Sequence, residues 1–134
     1  MRARLIQIDN DYPAIRDWYR ARKLPELPAM LFSPLTVVVE DDGGRLLCAV
    51  VNYRDRFCPA GAIGWAVGNP AIPKRMLAEA FRVAFERSLR EFRACGCMVV
   101  VSRLVNRSFS RILKNLGGKV TAETMEEISW VCPF

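Results

Sequence analysis

The alternation of apolar and polar positions divides the chain into short strands and two clear helices. Arg2 to Ile8 carries Leu5, Ile6 and Ile8 and predicts a first strand. "DNDYPAIRDWYRARK" then offers Asp and Asn as N-caps and Pro13 in a first turn, with Ile15, Trp18 and Tyr19 on one helical face. Pro25, Pro28 and Pro34 mark "LPELPAMLFSP" as a loop. "LTVVVEDDGGRLLCAVVNY" predicts a hairpin, because the two glycines supply the positive φ of a tight turn between two apolar runs. "AIGWAV" predicts a further strand.

From Pro73 to Ala94 a long helix is predicted, with Leu77, Phe81, Ala84, Phe85, Ser88 and Phe92 on one face. Glu86 with Arg90 and Arg87 with Glu91 stand at i,i+4 on its wet side. "CMVVVS" lacks alternation and predicts a strand covered on both faces. "NRSFSRILKNLGG" places Phe109, Ile112, Leu113 and Leu116 at helical spacing before a glycine stop. A last strand pair is predicted near Lys119–Val120 and Ile128–Val131. The order β-α-loop-β-β-β-α-β-α-β-β describes a mixed α/β sheet with helices on its faces, one domain over residues 1–134.

Composition narrows the class. The sequence is 51% hydrophobic and 25% charged, ordinary for a globular protein, and has no apolar run long enough to span a membrane. The start lacks an apolar signal core, and the five cysteines have no framework spacing, so a cytoplasmic protein with reduced thiols is expected. Cys95-Gly-Cys97, with no histidine and no second cysteine pair, is a structural feature rather than a metal site. Trp65 is expected in the core. The net charge is +6, and Arg103, Arg107, Arg111, Lys114 and Lys119 form a run without an acid. Such a run suits a nucleic acid, an acidic partner or a phosphorylated cofactor, or is simply a solvated helix face; no nucleic-acid motif accompanies it.

In element order the chain resembles the GNAT-superfamily N-acetyltransferases. That family often shows N-x-x-A-x-x-x-Y-x-x-x-G-F after its fifth strand, and Asn106, Phe109, Leu113, Gly117 and Gly118 stand at those five places. The asparagine and first glycine agree. "DYPAIRDWYRAR", "LP", "VVVED" and the W-x-V-x-N-P of Trp65–Pro70 are also similar to small GNAT-like proteins of bacteriophages, which implies host cytoplasm or virion as location. The resemblance implies a GNAT-like, mostly antiparallel central sheet with helices on both faces, and acetyl-CoA as cofactor.

It further implies that Trp65, Ala66 and Val67 of the fourth strand lie along the pantetheine arm, with Asn106 near the thiol end; Ser102 and Asn106 flank the end of the fifth strand, where such sheets bind ligands. The family's pyrophosphate loop, Q/R-x-x-G-x-G/A, corresponds to "GNPAIPKRM", where prolines stand in place of glycines and Lys74 and Arg75 open the helix. The family's general-acid tyrosine corresponds to Leu113. Glu40 and Tyr53 are the candidates for a catalytic base by position.

Two readings follow. One is a GNAT-fold protein with a degenerate acetyl-CoA motif that binds a protein partner or belongs to an assembly, as a phage accessory or virion component does. The other is an active acyl-CoA-dependent N-acyltransferase on a small amine or a protein acceptor.

Overall fold

In a computed structural model of the chain, residues 1–102 and 107–119 are described. The expected final strand pair and Asn106 lie outside the described residues. The elements are β1 (Arg2–Leu5), α1 (Ile8–Ala21), a 3-10 turn (Ala29–Leu31), β2 (Val37–Glu40), β3 (Leu46–Arg54), β4 (Ala60–Gly68), α2 (Lys74–Ala94), β5 (Val99–Ser102) and α3 (Arg107–Asn115). The strands form one sheet in the order β1-β2-β3-β4-β5, antiparallel until the parallel β4–β5 pair.

Side-chain alternation in the sheet separates two cores. Val37, Val39, Cys48, Val50 and Ile63 pack under Leu77, Ala80, Phe81, Ala84, Phe85 and Phe92 of α2. On the opposite face Val38, Ala49, Val51 and Val67 pack under Ile15, Trp18 and Tyr19 of α1. The α2 face predicted from sequence is buried along its full length. Helix α3 joins the α2 side, where Phe109 meets the rings of Phe81 and Phe85 edge-on, with centroids 4.5 and 5.8 Å away. It stops as its glycines predict. The N–H of Gly118 reaches the Leu113 carbonyl, that of Gly117 reaches Lys114, and Gly117 has φ +94°.

Several expectations need correction. The first helix starts at Ile8, earlier than its polar residues suggested, because the Asp11 carboxylate reaches back to the Gln7 N–H at 2.8 Å. The second long helix starts at Lys74, with Pro73 as its N-cap. Glu86 pairs with Arg82, at 2.5 Å, whereas Arg87 and Glu91 pair as expected, at 2.6 Å. β5 is not covered on both faces among the described residues: Val99 and Val101 are each 57% exposed, since no helix of the described chain lies over them. The hairpin turn has the expected geometry, with Gly44 at φ +81° and its N–H on the Asp41 carbonyl.

Candidate functional site

Among the described residues the parallel pairing of β4 with β5 covers Ala60 to Ile63, matched to Val99 to Ser102. At the last described rung the Ser102 hydroxyl donates to the Ile63 carbonyl at 3.3 Å. β4 continues for five residues beyond that rung, Gly64 to Gly68, joined to β3 alone among the described residues. Backbone groups of this stretch that point away from β3 therefore have no described strand partner.

A bulge sits just beyond the last described rung. Val50 pairs with Ala66 and Asn52 with Ile63, so Gly64 and Trp65 together oppose the single residue Val51. Gly64 is needed there because a Cβ would lie 2.9 Å from the Tyr53 ring and 3.3 Å from the Val51 carbonyl. The bulge turns Trp65 outward, and it is 45% exposed rather than part of the core. Sequence alone could not reveal this, because a tryptophan in an apolar run reads as buried. Ala66 then packs toward α2 and Val67 toward α1.

The loop from β4 to α2 is closed on itself. The Asn69 N–H goes to the Leu47 carbonyl, that of Ile72 to the Asn69 carbonyl, and that of Ala71 to Asn69 Oδ1 at 3.0 Å. Pro70 and Pro73 have no N–H. Every backbone donor from Asn69 to Pro73 is thus committed or missing. The donors that remain belong to the first turn of α2, at Lys74, Arg75 and Met76, beside the exposed side chains of Lys74 and Arg75. Arg22, which the sequence reading did not single out, adds a third cation nearby. It leaves the end of α1 and donates from Nε to the Gly68 carbonyl at 2.8 Å. Its sequence distance of 46 residues from that carbonyl left no local signal.

The two candidate bases have different settings. Glu40 ends β2, two strands from β4, about 10 Å away at ordinary strand spacing. Its carboxylate is gripped by Arg4, at 2.9 Å, and by Arg2; these bonds, Arg4's first, hold its pKa below the ordinary value. Tyr53 lies closer, on β3 against Gly64, and donates its hydroxyl to the Leu31 carbonyl at 3.1 Å. Burial raises its pKa, so it is a neutral hydroxyl at physiological pH. Tyr19, also in the α1-side core, is 1% exposed, and its hydroxyl has no hydrogen-bond partner among the described residues.

Leu113, at the place of the family's tyrosine, packs against the α2-side core. Arg107, Arg111 and Lys114 lie exposed on α3; Arg103 falls outside the described residues. No group of three or more potential metal ligands occurs among the described residues. No helix among them is long and apolar enough to cross a membrane.

A mixed sheet of this order, antiparallel apart from the β4–β5 pair among the described residues and flanked by helices on both faces, is a GNAT-like fold, and solved structures similar to the chain include acetyltransferases. The TTHA1254 protein of Thermus thermophilus matches with a TM-score of 0.70 at 15% identity, over 99% of each chain. An acetyltransferase from Trypanosoma brucei matches with a TM-score of 0.62 at 15% identity, covering 96% of this chain and 99% of its own. Glucosamine-6-phosphate N-acetyltransferase from Arabidopsis thaliana matches with a TM-score of 0.64 at 11% identity, covering 95% and 97%. No family model and no curated protein matches the chain.

Proposed function

We propose that the chain is an acyl-CoA-dependent N-acyltransferase acting on an amine, on a small molecule or a protein. The observation that carries this reading is the bulge in β4 just beyond its last described rung with β5, which turns Trp65 outward on a sheet similar to those of solved acetyltransferases. An extended pantetheine arm with its amide groups suits such a stretch, since it can hydrogen-bond strand backbone as an added strand does. When bound, the coenzyme supplies an activated acyl thioester. The backbone of Trp65 to Val67 holds the arm, Ser102 stands at the last described rung of the parallel pair, and Trp65 walls the side from which an amine approaches. Lys74, Arg75 and the first-turn N–H groups of α2 take the diphosphate by charge. Tyr53 positions the 3-10 turn beside that wall through its bond to Leu31.

Calorimetry with acetyl-CoA tests this reading. Heat of binding is expected, weakened roughly tenfold when Lys74 and Arg75 are both replaced by alanine, the value of two partly exposed charge contacts. No heat at millimolar coenzyme would overturn it.

A second reading, a GNAT-fold protein that acts by binding within an assembly, is favoured by the committed donors of the Asn69–Pro73 loop and by leucine at position 113. It predicts no release of free thiol from acetyl-CoA with any amine offered, whether or not the coenzyme binds.

A further inference from the structure

The loop from β3 to β4 and the turn from α2 to β5 bring two cysteines together at the closed end of the β4–β5 pair. The Pro59 carbonyl accepts the Met98 N–H at 2.7 Å and the Val99 N–H at 3.3 Å, which extends the ladder one step below the Ala60–Val99 rung. Cys58 precedes Pro59 and Cys97 precedes Met98, so the two cysteines flank this backbone contact on the same side. A disulfide spans Cα separations of about 4.4–6.8 Å.

The loop that carries Cys58 is fixed. The Asp55 carboxylate accepts the N–H groups of Phe57 at 2.7 Å and Cys58 at 3.0 Å, and the Asp55 N–H reaches the Ala60 carbonyl at 2.9 Å. Asp55 also accepts the Cys58 thiol; burial first, then Asp55, with a smaller contribution from Cys97, push that thiol up, so alkaline pH favours the attacking thiolate. Cys58 is exposed and Cys97 half-buried, so a reagent in solution reaches the first and finds the second behind it. Cys48 is sealed in the core. Cys95 follows the end of α2, with its N–H on Glu91, two residues from Cys97.

We propose that Cys58 and Cys97 form a dithiol modification site that closes into an intrachain disulfide when a low-molecular-weight disulfide is the oxidant. The Cys58 thiolate attacks one sulfur of the oxidant, whose S–S bond breaks and releases one thiolate. The Cys97 thiolate then attacks the Cys58 sulfur of the mixed disulfide and expels the second. Two protein thiols are oxidised, one disulfide is reduced to two thiols, and the two cysteine protons pass to the released thiolates. The product staples the β3–β4 loop to the start of β5, at the end of the pair opposite to the bulge. This proposal is independent of acyl transfer.

The test is incubation of the purified chain with oxidised glutathione, followed by peptide mapping under non-reducing conditions. The expected result is a cross-linked peptide pair joining Cys58 to Cys97, loss of two titratable thiols and a melting temperature raised by about 10 °C, as a long closed loop predicts. C58S, which alters an exposed position, is expected to abolish the cross-link and the melting shift, and C95S to leave both in place. A cross-link through Cys95 or Cys132, stable glutathione adducts on Cys58 with no cross-link, or no loss of thiols would each overturn the proposal.

Discussion

Arg4 joins the edge strand to the first helix by gripping Asp11 with two hydrogen bonds, Nη1 to Oδ2 at 2.8 Å and Nη2 to Oδ1 at 2.9 Å. Its Nε holds Glu40 at 2.9 Å. Burial pushes the Asp11 pKa up, but the hydrogen bonds from Arg4 and the Gln7 N–H, with the charge of Arg4, outweigh it, and the net shift is downward. Removing one partner of a buried pair strands the other. Asp11→Ala is therefore expected to lower unfolding stability by about 3 kcal/mol, read from urea denaturation at pH 7.

The same cluster sets an acid limit. Asp11 and Glu40 both have folded-state pKa values below the ordinary carboxylate range, so their contribution is full above that range and fades as pH falls through the lowered values. Urea midpoints are expected to drop as pH falls below about 4.5, the ordinary carboxylate range, and to drop less steeply in Asp11→Ala. An unchanged acid slope in that variant would place the acid sensitivity elsewhere.

Gly61 lies on the β4–β5 rung with Val100, directly against the ring of Phe92. A Cβ there would stand 2.4 Å from two ring carbons, and the ring is only 1% exposed, with no room to withdraw. Gly61→Ala is expected to cost about 2 kcal/mol through overpacking. Combining it with Phe92→Leu should cost less than the sum of the single changes in a double-mutant cycle.

Trp18 and Trp65 make an internal comparison. Trp18 is 7% exposed beneath α1 and Trp65 is 45% exposed on the bulge. Trp18→Ala is expected to cost about 3–5 kcal/mol, and Trp65→Ala under about 1 kcal/mol, since much of its ring is already in water. Iodide should quench the Trp65 emission, and the quenchable fraction should fall in Trp65→Ala. Equal losses of stability would mean that the bulge does not turn Trp65 outward.

Asn69 separates loop shape from anion binding. Its side chain donates to the Leu46 carbonyl at 3.0 Å and accepts the Ala71 N–H. Asn69→Ala is expected to lower stability by about 1–2 kcal/mol while releasing a backbone donor beside the start of α2. On the proposed reading, acetyl-CoA affinity holds in this variant and falls in the Lys74, Arg75 double variant. The reverse pattern in calorimetry would assign the diphosphate to the loop and not to the helix start.

What could be read in the sequence was what local chemistry determines. The glycines of the β2–β3 turn, the apolar face of α2 and the glycine stop of α3 each depend on residues within a few positions of one another. The exposure of Trp65 and of Val99 and Val101 depends on which strands stand beside them, and no periodicity encodes that. The missing glycines of the β4–α2 loop were visible in the sequence. That Asn69 consumes the donors left by the two prolines was not, because its bonds reach back to Leu46 and Leu47. The start of α1 was missed for a related reason: its capping carboxylate lies inside the helix, at Asp11, instead of ahead of it.

The extra residue in β4 works as a phase shift. Before Gly64 the strand's inward and outward positions follow one count, and after Trp65 they follow the other, which is how Val67 comes to face α1 and Ala66 to face α2. A chain lacking Gly64 would return β4 to one uninterrupted count. Trp65 would then stand directly opposite Val51, in line with its neighbours, and the sheet would lose the bulge just beyond the last described rung of its β4–β5 pair.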